Sequence, residues 1–221
     1  LTDLEYLSQW RHSYGLDQPM LVGGTRCAAT CATHGPRCAV DQAEFASGVH
    51  MLHCRSAKPL GRHNRCGREV LKPLYLGMGY TFNEHLVHCH VNSGKRVDAR
   101  CANSAVSHRD EALDFTIGCP MAETYVTAAA EDDRHATTAA LERGKRAKHA
   151  AAAAVAGMQY VTCALTTFGG WGEEFLKRHV RPEYARRRKA EKAEGGLGWK
   201  TQAWKQALFE NMNIVIARSN Y

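Results

Sequence analysis

Two aspartates raise the first chemical question. Asp98 lies in the stretch Arg96–Cys101 and Asp114 in Glu111–Ile117, with 15 residues (99–113) between them. Both stretches read as strands, so the two carboxylates can face one another across a hairpin and bridge a hard divalent cation through oxygen. An ion of that kind, Mg2+ or Mn2+, acidifies its water and binds a phosphodiester oxygen as charge builds on phosphorus. Asp114 is the sharper signal of the two. Leu113, Phe115 and Ile117 flank it, and a carboxylate facing into an apolar layer is costly without a partner or a metal. Asp110 and Glu111, close by, read as solvated loop residues. Further along, the run Glu142–His149 carries Lys145 and Lys148, three apart and on one helix face. An ammonium from either one, aimed at the metal site, orients the attacking water or offsets charge on a pentavalent phosphate.

A second constellation is Cys27-x3-Cys31 followed by His50-x3-Cys54. Zinc takes thiolate and imidazole ligands in pairs close in sequence, one pair on each side of a loop. The connection between the pairs is 18 residues long (32–49), and His34, Cys38 and His53 compete as ligands, so Cys31 and Cys38 both stay open. Residues 27–60 have no sustained apolar periodicity, and a segment without its own core needs another restraint such as a structural Zn2+. Nine cysteines form an odd set. With no secretory leader in view, free thiols plus a metal site are expected rather than a disulfide framework.

Basic side chains supply the third signal. Arg62-His63-Asn64-Arg65 reads as a helix start, where His63 or Asn64 caps and Arg62, Arg65 and Arg68 reach phosphates. Leu176–Lys192 carries Lys177, Arg178, Arg181, Arg186, Arg187, Arg188, Lys189 and Lys192 against only Glu183 and Glu191. Such a stretch suits a phosphate backbone, with Trp199 and Trp204 either as stacking residues or, the favoured reading, as residues that dock the last helix. A net charge of +7 and a pI near 9.0 fit a polyanionic partner.

These groups need a scaffold to hold them. A chain of 221 residues, 44% hydrophobic and 23% charged, is one globular domain with appendages. No stretch approaches the roughly 18 uncharged apolar residues of a membrane span. The sequence begins at Leu1 with no leader-like segment, and a piece of a longer polypeptide is the expectation. Residues 1–26 read as a short helix and linker, 27–60 as the zinc-knuckle segment, 61–175 as the core and 176–221 as a basic helical tail. In the core, Cys66, Val70, Leu71, Leu74, Tyr75 and Met78 share a helical face, with Pro73 as a kink. Strands are expected over Tyr80–Val91, Arg96–Cys101 and Glu111–Ile117, then a long helix or two within Met121–Met158, closed by Gly157, and a buried strand over Gln159–Thr166. The expected order is α-β-β-β-α-β, an α/β class.

Taken in order, these motifs resemble the restriction-like endonuclease domain at the C-terminal end of site-specific non-LTR retrotransposon polyproteins, of the kind that inserts into ribosomal DNA or spliced-leader genes. The family pattern is a Cys-Cys-His-Cys knuckle, an Arg-His-Asn motif, a Pro-Asp strand, a second acid and a helical lysine. Cys27, Cys31, His50 and Cys54 resemble the knuckle, and Arg62-His63-Asn64 follows eight residues after Cys54. Lys95-Arg96-Val97-Asp98 is similar to the Pro-Asp strand with Val97 in place of proline, and Asp114-Phe115-Thr116-Ile117 to the second acidic strand. Lys145 falls where the family lysine lies, and Phe168-Gly169-Gly170-Trp171-Gly172 resembles the turn after the last core strand. Thr116 stands where the wider superfamily carries lysine, which moves that role to the helix. The resemblance spans roughly residues 26–176.

It implies a restriction-endonuclease-like (PD-(D/E)xK) core and nicking of double-stranded target DNA in the nucleus, leaving a 3′ hydroxyl for target-primed reverse transcription. The partners implied are a reverse transcriptase domain in cis and the element RNA, through the rest of the polyprotein. A second reading keeps the nuclease fold without cutting, as a nucleic-acid-binding or scaffold module within a larger ribonucleoprotein.

Overall fold

A computed structural model of the chain describes residues 59–84, 96–103, 109–120, 122, 125 and 135–218. The expected N-terminal helix lies outside the described residues, as do Cys27, Cys31, His50 and Cys54 and the competing ligands His34, Cys38 and His53.

The fold is mixed α/β, with a four-stranded sheet between helices. Its first described element is one rod in three parts: α1 (Pro59–Cys66), a π-helical turn (Gly67–Leu71) and α2 (Lys72–Gly77). The π turn has a local cause. Pro73 lacks an N–H and its ring crowds the carbonyl four residues back, so the helix widens ahead of it and the Lys72 N–H bonds the Gly67 carbonyl. Leu71, Leu74 and Tyr75 on this rod face the sheet.

Strand β1 (Thr81–Asn83) pairs antiparallel with β2 (Ala99–Ala102), and β2 with β3 (Glu111–Gly118). β3 then pairs in parallel with β4 (Gln159–Thr166) along its full length. A parallel neighbour needs a crossover, supplied by α3 (Ala136–Val155). Ala153 on α3 is fully buried against Val97, Ala112 and Tyr160, and at the far end a Cβ on Gly118 would stand 2.8 Å from Leu141 Cδ1. Small residues on both partners thus let helix and sheet approach closely. β3 and β4 are covered on both faces, which is why both read as nearly continuous buried runs.

Beyond the turn at Phe168–Trp171 come α4 (Glu173–Phe175), a second π turn (Leu176–Val180), α5 (Arg181–Ala193) and α6 (Trp199–Arg218). Pro182 stands two residues after the second π turn, as Pro73 does after the first. Leu208, Met212, Val215 and Ile216 of α6 join Leu71, Tyr75, Leu113, Phe115 and Phe175 in the main core.

The long helix expected within Met121–Met158 stands at Ala136–Val155, and the strand expected over Tyr80–Val91 at Thr81–Asn83, with 85–91 outside the described residues. Other expectations are corrected. Asp98 does not sit within β2 but in a bend just before it. The first helix begins at Pro59, so His63 and Asn64 are interior residues rather than caps. Glu111 is not a solvated loop residue. It opens β3 at 3% exposure, sharing the facing parity of Leu113, and meets His179 Nε2 at 3.1 Å and the Tyr75 hydroxyl at 3.4 Å.

Candidate active site

The antiparallel pairing of β2 with β3 runs from Cys101–Glu111 to Ala99–Leu113. Its last backbone bond is from Asp98 N–H to the Leu113 carbonyl, at 2.9 Å. There β2 leaves the sheet, and the next N–H and C=O on this edge of β3, both from Phe115, lose their strand partner. Buried backbone groups must find others. The Phe115 N–H donates to Asp98 Oδ2 at 2.6 Å, and His63 Nε2–H donates to the Phe115 carbonyl at 2.9 Å and reaches Asp98 Oδ2 at 3.1 Å. A carbonyl only accepts, so His63 must carry its proton on Nε2. Burial pulls the His63 pKa down, but Asp98 and the other hydrogen bonds more than offset it, and the net shift is upward.

Asp114 sits one residue earlier on β3, on the opposite face, turned towards α3. It is 2% exposed. Lys145 Nζ donates to Oδ1 at 3.1 Å, the Tyr160 hydroxyl donates to Oδ2 at 3.0 Å, and His149 Nε2 lies 3.5 Å from Oδ2. Lys145 and His149 are four apart on α3 and so share its inner face, while Tyr160 is the second residue of β4, its ring stacked 6.0 Å from that of His149.

The two acids meet at the splayed end of β2, close enough for their carboxyl groups to share a hydrogen bond. Burial raises the Asp114 pKa, the Lys145 charge lowers it and the Asp98 charge raises it again, leaving it at about 6. Asp98 moves the other way. Burial raises its pKa, but the hydrogen bond and charge of His63, with the Phe115 N–H, hold it below the usual carboxylate range. Two carboxyls held this close resist ionising together, and below about pH 6 the proton resides on Asp114.

Asp98 also lines a cleft of about 230 Å3, together with His63, Asn64, Arg68, Phe82 and Arg96. Arg96 is exposed there and has no ion-pair partner among the described residues, whereas Arg68 faces Glu84 at 3.4 Å. A phosphodiester entering from this side would meet the Arg96 guanidinium and the Asp98 carboxylate, while Asp114 lies outside the cleft lining.

Among the residues singled out from the sequence, Asp98, Asp114, Lys145 and His63 come together. Lys148 is exposed and does not reach Asp114. Arg62 requires correction: it is 7% exposed and points inward beside Cys66 and Cys119, one turn before Cys66 on the sheet-facing side, so it does not present itself to DNA. Asn64 is exposed beside His63, with its Oδ1 at 3.2 Å from Nδ1, and Arg65 is exposed opposite Glu69. On α5, Arg186 and Arg187 both bond Glu183, Arg187 also covers the Trp204 ring at 4.7 Å, and Arg188 packs on Gly198. Tyr160 and His149 were not anticipated. The spacing of His149 from Lys145 was a usable signal, but Tyr160 reaches Asp114 only through the β3–β4 register.

Four of the chain's cysteines, Cys66, Cys101, Cys119 and Cys163, are described, and all are buried and free. No known family model matches the chain, and a search of curated proteins finds no match.

Proposed function

We propose that this chain is a metal-dependent DNA endonuclease with a restriction-endonuclease-like core. The observation that carries the reading is the convergence of Asp98 and Asp114, from two neighbouring segments of the sheet, with the Lys145 ammonium on the second carboxylate. The carboxyl pair fits Mg2+ or Mn2+, because oxygen donors of like charge at this separation are relieved by a divalent cation in place of the shared proton. Among the described residues no group of three or more His, Cys, Asp or Glu is arranged for a metal. Mg2+ commonly binds through one or two carboxylates and takes water and substrate phosphate for the rest. When bound, such an ion supplies positive charge against the phosphate and acidifies water.

The chain's own residues do the remaining work. His63 holds Asp98 through Oδ2 and leaves its other oxygen for the ion. Lys145 stands beside Asp114, placed to orient a water or to offset charge on the pentavalent phosphate, and Tyr160 fixes the rotation of the Asp114 carboxyl. Arg96 receives the DNA backbone at the mouth of the cleft. The wider reading is a nicking domain that prepares a primer for target-primed reverse transcription in the nucleus. A Zn2+ knuckle at Cys27, Cys31, His50 and Cys54 would sit upstream, with a reverse transcriptase and element RNA as partners.

One observation favours a second reading, a nuclease-fold binding or scaffold module. Lys145, Tyr160 and His149 already satisfy Asp114, an arrangement that holds the fold together without any ion. Plasmid nicking in Mn2+ separates the two. Wild type should convert supercoiled to open-circular DNA, and Asp98→Ala and Asp114→Ala should each reduce the rate at least about 100-fold. Cutting that survives both changes removes these acids from the chemistry, and tight DNA binding without cutting selects the scaffold.

A further inference from the structure

The corner between α5 and α6 holds an exposed indole. Trp199 is 75% exposed and Leu197 80% exposed. For both tail tryptophans the sequence favours docking of the last helix over stacking. Trp204 does so under Arg187, but Trp199 faces solvent. It is nevertheless rigidly held. The Glu191 carboxylate, at the end of α5, accepts from Lys200 N–H at 3.1 Å, from Thr201 N–H at 2.9 Å and from the Thr201 hydroxyl at 2.6 Å. It thereby caps α6 from the neighbouring helix. Gly198, at φ 91°, lies so close to the Arg188 guanidinium that a Cβ there would stand 2.0 Å from Nη1. The two contacts clamp the segment from both sides and leave the Trp199 ring turned outward.

The surroundings of the ring are cationic. Arg188, Lys189, Lys192 and Lys200 have no ion-pair partner among the described residues, in contrast to Arg186 and Arg187 on Glu183. Arg188 and Lys192 are one helical turn apart, and Lys200 adjoins the tryptophan. Of the acids between Lys189 and Lys200, Glu191 is spent on the cap and only Glu194 is exposed. A flat apolar ring among free cations suits a polyanion that offers flat apolar faces. In duplex DNA those faces are covered by stacking, whereas in a single strand they are available.

We infer that Trp199 is a stacking platform for an unpaired base, with Arg188, Lys192 and Lys200 taking the flanking phosphates, so that this corner binds single-stranded nucleic acid. The inference rests on the nucleic-acid side of the proposed function and names the form of strand that the nuclease would hold.

The test uses the full chain in EDTA, where no cutting occurs. Fluorescence anisotropy would compare a labelled oligothymidylate of about 15 nucleotides with a duplex of equal length. Trp199→Ala should weaken single-strand binding about tenfold and leave duplex binding within about twofold, while Trp199→Phe retains most of the affinity. Lys192→Ala with Lys200→Ala should flatten the salt dependence of single-strand binding. Equal losses for strand and duplex in Trp199→Ala, or no loss for either, overturn the inference. So does sedimentation showing that Trp199→Ala abolishes self-association, which makes the corner a protein interface. A chain that stacks a strand on Trp199 yet never nicks separates this inference from the hydrolytic reading, and a chain that nicks with no dependence on Trp199 overturns this one alone.

Discussion

His63 and Asp98 are joined through one imidazole N–H that lies 3.1 Å from the carboxylate and 2.9 Å from the Phe115 carbonyl. The ring therefore closes the gap where β2 departs from β3, and it does so with the same proton that orients the acid.

His63→Ala should expose both consequences. Loss of the donor leaves a part-buried carbonyl and carboxylate short of a partner, which costs about 1–3 kcal/mol in urea unfolding. Nicking should fall about 10- to 100-fold, as when an outer hydrogen-bond partner of a metal ligand is removed. Full activity in a variant of reduced stability would confine His63 to the scaffold.

The sequence left Lys145 and Lys148 open, and the ion pair with Asp114 now distinguishes them. Lys145→Ala should lower the nicking rate about 100-fold, whereas Lys148→Ala should stay within about twofold of wild type. Equal effects from the two changes would argue for a role in gripping DNA instead.

Asp114 gives the metal-free protein an unusual pH response. Its pKa rises from 3.8 to about 6 on folding, so the stabilising state is the protonated one. That contribution is complete below pH 3.8 and is lost as pH rises through 6, a decline of about 3 kcal/mol. His63, also raised, acts in the same direction as pH climbs past its folded value, while Asp98, lowered, withdraws stability only as the solution becomes strongly acidic. Urea titrations in EDTA should show this fall in the wild type and a flatter profile in Asp114→Asn. Adding Mn2+ at pH 7 should restore stability to the wild type alone.

Arg62 should behave as a core residue. Arg62→Ala is expected to lower the unfolding midpoint by the equivalent of about 1–3 kcal/mol and to leave the salt dependence of DNA binding unchanged. A shallower salt slope would mean that the guanidinium does contact phosphate.

Much of this was legible in the sequence for identifiable reasons. The apolar flanks of Asp114 forced it inward, and the absence of proline with many alanines marked α3. Arg62 was misplaced because charge was allowed to outweigh position: it precedes Cys66 by one turn on the face that carries Val70 and Leu74. For Trp199 residue type favours docking, yet the residue is 75% exposed. Tyr160 was beyond reach, since only the pairing of Gln159–Thr166 with Glu111–Gly118 brings it to Asp114. No local pattern specifies which rung of a parallel pair meets which.

The parallel pairing also fixes when the pocket can exist. Asp98 and Asp114 are synthesised first, but the lysine, the histidine and the phenol that accommodate the inner carboxylate come from α3 and β4, some 30 to 46 residues later. A nascent chain stopped short of α3 would hold an acid with none of these partners and a β3 lacking its parallel neighbour. Such non-local closure is slow relative to helix formation. Premature termination or cleavage within α3 should therefore yield an insoluble fragment and not a folded chain with a weakened site.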